Sequence, residues 1–323
     1  MPSSNLHIRP PVLQFNGHLQ TIVPSIFRRV KGINYQRERI LTPDDDFLDL
    51  DWCFNQGRKL LIISHGLEGS SHRGYVMGMV KTFNQPEWDV LAWNYRGCGG
   101  EINRQLRFYH SGATDDLRLV VDHAIQSQRY EVIYLLGFSL GGNLTLKYLG
   151  EDADKVPGII RKAVVFSVPL DLHGSAIQLS QGVNLMYSQR FLRKLKKKVR
   201  QKARLFPKAF DLDLVAGIKG LMEFDDAITA PLHGFKDSVD YYQQCGAIRF
   251  ITDITTPSLI VNAHNDPFLS EGCYPYQELK QHPSVRLSAP PKGGHVGFRN
   301  TQGAWRYSSE QIAWEYLNSL SPK

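Results

Sequence analysis

Five near-continuous apolar runs punctuate the chain, each ending in a Gly-rich or polar corner. They are KLLIISHG at 59–66, EWDVLAWNY ending at Tyr95, EVIYLLGF at 131–138, KAVVFSV at 162–168 and PSLIVNA at 257–263. Runs of this length without polar alternation suit strands buried on both faces of a parallel sheet. Between them, 113–128 (ATDDLRLVVDHAIQSQ) and 142–150 (GNLTLKYLG) carry apolar residues at helical spacing, and Thr114, Asp115 and Asp116 suit a helix N-terminus. Alternating strand and helix predicts a doubly wound α/β sheet. Ahead of it, RERILTPDDDFLDLDW reads as a hairpin whose turn is Pro43 and the Asp run. The alternation breaks between about Asp171 and Phe250, where the periodicity is helical and the stretch is too long for an ordinary connection. A helical cap at about 171–250, inserted between two strands of one domain spanning 1–323, is the expected organisation. A second small domain is the alternative, but no linker marks its edges.

Composition narrows the class. The chain has 323 residues, is 42% hydrophobic and 21% charged, and can bury a sizeable core. No stretch approaches the roughly 18 apolar residues a membrane-spanning helix needs. MPSSNLHIRPPVLQFNGHLQ lacks the apolar core of a secretory signal. Cys53, Cys98, Cys245 and Cys273 are far apart, which argues against a zinc site or disulfide scaffold and fits a reducing cytoplasm. The net charge of +7 is local, since 190–208 (RFLRKLKKKVRQKARLFPK) holds ten Lys or Arg and no acid, leaving −3 elsewhere. Nucleic acid is therefore not an expected partner. Leu192, Leu195, Val199, Ala203 and Phe206 recur at helical spacing within that run, giving an apolar stripe for the cleft or the cap's own core. The cationic face is then expected to meet solvent or, weakly, an anionic membrane surface.

The strongest chemical signal is Gly137-Phe138-Ser139-Leu140-Gly141, set between the apolar run 132–136 and a helical segment. G-x-S-x-G alone is common, but between strand and helix it describes a nucleophile elbow, whose turn is tight enough to exclude side chains at the flanking positions. A serine hydroxyl needs a base to be nucleophilic near neutral pH. In the order Ser, acid, His, the candidates are Asp266, just past the run SLIVNA, and His295, in the Gly-rich loop of VRLSAPPKGGHVGF. His264 is the rival base, two residues before the acid and in another loop. A His264/Asp266 metal pair lacks a third ligand, so neither metal nor organic cofactor is expected. An oxyanion hole needs two backbone N–H donors. Leu140 follows the nucleophile, and LIISHGLEGSS offers Leu67, with Glu68 as its neighbour. His65 and Glu68 could equally shape that loop. NYRGCGG lacks phosphate-loop spacing and reads as the turn after the fourth strand. His72, His110, His123 and His233 read as structural.

Together, HGLEGSS at 65–71, NYRGCGG at 94–100, YHSG at 109–112, GFSLGGN at 137–143, NDPF at 265–268 and GGHVGF at 293–298 resemble the YheT-type esterases. FNGHLQT at 15–21 and FDDAITAPLHGFKD at 224–237 fit as well, so the resemblance runs from about Pro10 to the last helix. It implies an α/β-hydrolase fold, with a mostly parallel sheet and helices on both faces. It also implies hydrolysis of a carboxylic ester, acyl or lipid-like, by Ser139, Asp266 and His295. The chemistry of the residues leaves no account of His18. Amidase or thioesterase activity would use the same three groups, and a binding module that had lost catalysis would not need all three.

Overall fold

The computed structural model describes residues 8–319. Eight strands form one sheet in the order β1-β2-β4-β3-β5-β6-β7-β8. β1 (Gln36–Leu41) and β2 (Phe47–Cys53) are the hairpin expected around the Asp run, and β2 is antiparallel to β4. β3 (Lys59–Ser64), β4 (Trp88–Asn94), β5 (Val132–Phe138), β6 (Ile160–Phe166), β7 (Ser258–Val261) and β8 (Val285–Ser288) are parallel. The five apolar runs lie on β3 to β7. Their two-residue period divides them between two layers. Leu60, Ile62, Leu135, Ala163 and Val165 pack under α3 (Thr114–Gln126) and α4 (Leu140–Gly150). Leu61, Ile63, Leu136, Phe138, Val164 and Phe166 pack under α2 (Gly74–Phe83) and the C-terminal helix Ser308–Asn318. Because both faces are covered, the strands carry no polar alternation to betray them.

Helix α1 (Gly17–Phe27) precedes the sheet and has no counterpart in the sequence reading. Asn16 caps it by accepting the Leu19 N–H at 2.9 Å. Its C-terminal Arg28 pairs with Glu310 and lies 3.6 Å over the Tyr307 ring, which fixes α1 against the other end of the chain.

Between β6 and β7 the chain is helical. It forms α5 (Leu172–Leu179), α6 (Leu185–Leu205), α7 (Leu212–Gly217), α8 (Leu221–Phe224), α9 (Ala230–His233) and α10 (Ser238–Cys245). A π-helical turn at Asp225–Thr229 joins α8 to α9. Leu192 and Val199 of α6 join Val215, Ile218, Phe224 and Ile228 in a separate apolar cluster, with Leu195 against it. The basic run is not one solvated face. Arg190, Arg193, Lys197, Arg200, Arg204 and Lys208 are exposed, but Lys194, Lys196, Lys198 and Lys202 turn inward. Lys196 donates to the Ala216 and Ile218 carbonyls, and fully buried Lys202 donates to Asn103 and to the Gln105 carbonyl. A lysine's long stem and three donors let it serve backbone carbonyls as readily as water. Desolvation pulls the Lys202 ammonium down to about 8.

Candidate active site

Ser139 joins β5 to α4 with φ 54 and ψ −122, a left-handed conformation that a residue with a Cβ enters only under strain. A Cβ on Gly137 would overlap the Gly141 carbonyl, and one on Gly141 would overlap the carbonyl oxygens of Ser64 and His65. The elbow glycines are therefore demanded by close backbone approach as well as by the turn.

The structure brings the three residues singled out from sequence into one line. His295 Nε2 lies 2.9 Å from Ser139 Oγ, and its Nδ1 lies 2.9 and 3.1 Å from the two oxygens of Asp266. Asp266 follows β7, and its Oδ1 also accepts the Phe268 N–H at 2.9 Å. The Phe268 ring stacks on His295 with centroids 4.1 Å apart. A carboxylate at Nδ1 fixes the tautomer that leaves Nε2 free to accept a proton from the serine. His264 is exposed, stacked on Tyr274 and 3.0 Å from the Tyr276 hydroxyl.

What holds these loops is α1, which sequence reasoning left without a role. Thr21 Oγ1 accepts the His295 N–H at 2.8 Å, and Gln20 Oε1 accepts from Gly293 N–H at 2.9 Å and Asn265 Nδ2 at 3.0 Å. Gly17 sits so close to the Asn265 carbonyl that an added Cβ would overlap it. His18 Nδ1 lies 3.2 Å from the Tyr187 hydroxyl, linking α1 to α6. NGHLQT thus grips the acid and histidine loops together. Its only sequence signal is polar residues crowded around a glycine.

The 65–69 loop is equally constrained. Gly66 N–H donates to the Tyr75 hydroxyl at 3.0 Å, and Glu68, at φ 52, donates its N–H to the Tyr109 hydroxyl at 2.9 Å. That leaves Glu68 N–H engaged. The N–H groups of Leu67 and Leu140 have no partner among the described residues. The Glu68 carboxylate accepts from Tyr109 at 2.8 Å and from Lys198 at 2.7 Å, while its carbonyl accepts from Arg73 at 2.8 Å and Lys194 at 3.0 Å. Buried His65 lies with Nδ1 2.8 Å from the Gly66 carbonyl oxygen, and desolvation lowers its imidazole to about 3.

Two lobes open on either side of Ser139 and share Leu67, Phe191, Phe268 and His295. One is largely apolar, with Leu172, Leu179, Leu195 and Tyr241 among its walls. It also holds Asp225, which accepts from the hydroxyls of Thr229 and Tyr242 at 2.6 Å and whose carboxyl burial pushes up to about 6. The other runs past α1 and contains Arg73, Tyr75, Arg190 and Lys194. Neither Asp225 nor Arg190 is marked as a site residue by its sequence context.

Residues 59–299 match the family described as alpha/beta hydrolase fold, and the chain belongs to that family. Within it the chain groups with the YheT-type esterases. It is 34% identical over 289 residues to "Putative esterase YheT" of Escherichia coli (strain K12), covering 88% of this chain and 84% of the relative. It is 28% identical over 306 residues to "Phospholipase ABHD3" of Mus musculus, covering 92% and 74%. Among solved structures, the esterase Pf2001 of Pyrococcus furiosus matches with a TM-score of 0.57 at 16% identity, over 90% of this chain and 97% of that one, a likeness of fold.

Proposed function

We propose that the protein is a carboxylic ester hydrolase working through an acyl-enzyme on Ser139. The single observation that carries this reading is the continuous hydrogen-bonded line from Ser139 Oγ through His295 to Asp266. Ser139 Oγ attacks the ester carbonyl carbon as His295 Nε2 takes its proton. Leu67 and Leu140 N–H stabilise the tetrahedral oxyanion. The C–O bond then breaks, the alcohol leaves with the proton from His295, and water releases the acid by the same steps. Asp266 stabilises the imidazolium throughout. The helical segment between β6 and β7 serves as a cap, since Phe191 and Leu195 of α6 line the cleft beside Ser139. The four cysteines are unpaired, which supports a reducing compartment such as the cytoplasm.

The test is covalent labelling by a fluorophosphonate together with hydrolysis of p-nitrophenyl butyrate. Wild type labels at Ser139 and turns over, whereas Ser139→Ala loses labelling and falls on the order of a million-fold in kcat. Retention of turnover within about tenfold by the folded alanine variant would refute the mechanism.

A further inference from the structure

The two lobes beside Ser139 differ sharply in charge. The apolar lobe has no Lys or Arg in its walls, whereas the other has Arg73, Arg190 and Lys194 and no Asp or Glu. Arg28 also reaches it but is paired with Glu310. Among the described residues, Arg73, Arg190 and Lys194 have no carboxylate within ion-pair distance. Arg73 and Lys194 each give one N–H to the Glu68 carbonyl, and their other donors remain. Desolvation and the neighbouring Arg73 hold the Lys194 ammonium below its ordinary value, with Arg190 and Lys198 adding to them and the Glu68 carboxylate opposing. The lobe's own walls carry no carboxylate that is free of a partner. The mutual repulsion of its three cations, only partly offset by the Glu68 carboxylate already paired with Lys198, is relieved by an anion between them.

We propose that this lobe binds an anionic group, a phosphoryl group above all, on the alcohol side of the substrate. The two guanidinium forks and one ammonium match the tetrahedral oxygens of a phosphoryl group. The proposal rests on the esterase reading and specifies its substrate as a carboxylic ester of a phosphorylated alcohol. The acyl chain lies in the apolar lobe, the carbonyl meets Ser139 where the lobes join, and the alcohol lies among the cations. Ser139 attacks the acyl carbon, the acyl C–O bond breaks, and the phosphorylated alcohol departs with the proton from His295. The bonds to phosphorus are untouched.

The experiment compares 1-butyrylglycerol with 1-butyrylglycerol 3-phosphate on the full chain at matched low ionic strength, following acid release. Wild type should show at least about a tenfold higher kcat/KM for the phosphate ester, chiefly through KM, since a hydrogen bond to a charged group has that worth. The advantage should shrink in high salt. Arg190→Glu should collapse the ratio of the two specificity constants to one or below, and Arg190→Lys should keep most of it. A wild-type ratio near one, or a ratio indifferent to Arg190→Glu, overturns the proposal.

A second readout needs no turnover. Glycerol 3-phosphate should slow fluorophosphonate labelling of Ser139 at concentrations where glycerol does not. Normal labelling that millimolar glycerol 3-phosphate leaves unchanged overturns the anion site alone, while absence of labelling overturns the esterase reading beneath it. A dodecanoyl phosphate ester in vesicles, run beside the butyryl one, separates a lipid head group from a soluble phosphorylated alcohol, and preference for either supports the site.

Discussion

His65 is wholly buried at the start of the loop that leads to Leu67, and its ring makes only neutral hydrogen bonds, to the Gly66 carbonyl and from the Tyr95 N–H at 3.4 Å. Desolvation lowers its folded-state pKa to about 3, below the unfolded value of about 6.5. The unfolded chain therefore takes the proton first as pH falls. The stability held by the neutral ring is complete above about pH 6.5 and is lost progressively towards pH 3. His65→Gln removes that titration. The wild type's advantage over the variant in unfolding free energy should narrow by about 3 kcal/mol between pH 7 and pH 4. Denaturant titrations at several pH values measure this, and a gap that does not move with pH refutes it. At this scale the sequence is legible where bonding geometry restricts choice. A serine between glycines at a strand end, then an acid and a histidine beyond later strands, have few ways to meet. Asp225 and Arg190 are not legible, because the lobes they line are assembled from elements distant in sequence.

Helix α6 does two things with one amphipathic pattern. Leu192 and Val199 close an apolar cluster, while Lys194 and Lys198 reach the loop bearing Leu67. Lys198 and Glu68 have side chains 13% and 4% exposed, so the pair is shielded from water. Losing one partner of such a pair strands the other charge and costs about 3–5 kcal/mol. Lys198→Met should therefore destabilise by that order. It should also lower kcat about tenfold with less change in KM, because the loop holding the Leu67 N–H loses an anchor. Adding Glu68→Gln should restore much of the stability, and a double-mutant cycle should give a coupling above about 1 kcal/mol. Additive single effects would rule the latch out. The strands β3 to β7 could be read from the chain because burial on both faces leaves unbroken apolar runs. The inner lysines could not, since a cationic side chain reads alike whether it meets water or a carbonyl. Helix α1 escaped because GHLQTIVPSIF contains Pro24 and spends its polar residues on distant loops.

Three parts of the molecule converge on Ser139: α1, the loops at the strand ends and the helical segment between β6 and β7. The tie that reaches the catalytic histidine itself is the His295 N–H to Thr21, across 274 residues. Thr21→Val keeps the shape and leaves that buried donor unsatisfied, at about 1–3 kcal/mol. Amide exchange should show His295 and Gly293 protected in wild type and exchanging faster in the variant, with β5 unchanged. Equal protection in both would mean that α1 does not hold the loop. The same tie has a consequence for a chain being made on the ribosome. Helix α1 emerges well before the groups it grips, since Thr21 and His295 are 274 residues apart and synthesis runs at about 5–20 residues per second. For the 156 residues between Ser139 and His295 the nascent polypeptide can hold an elbow serine with no base in reach. Hydrolytic power then arrives in one late event, when the histidine loop meets α1.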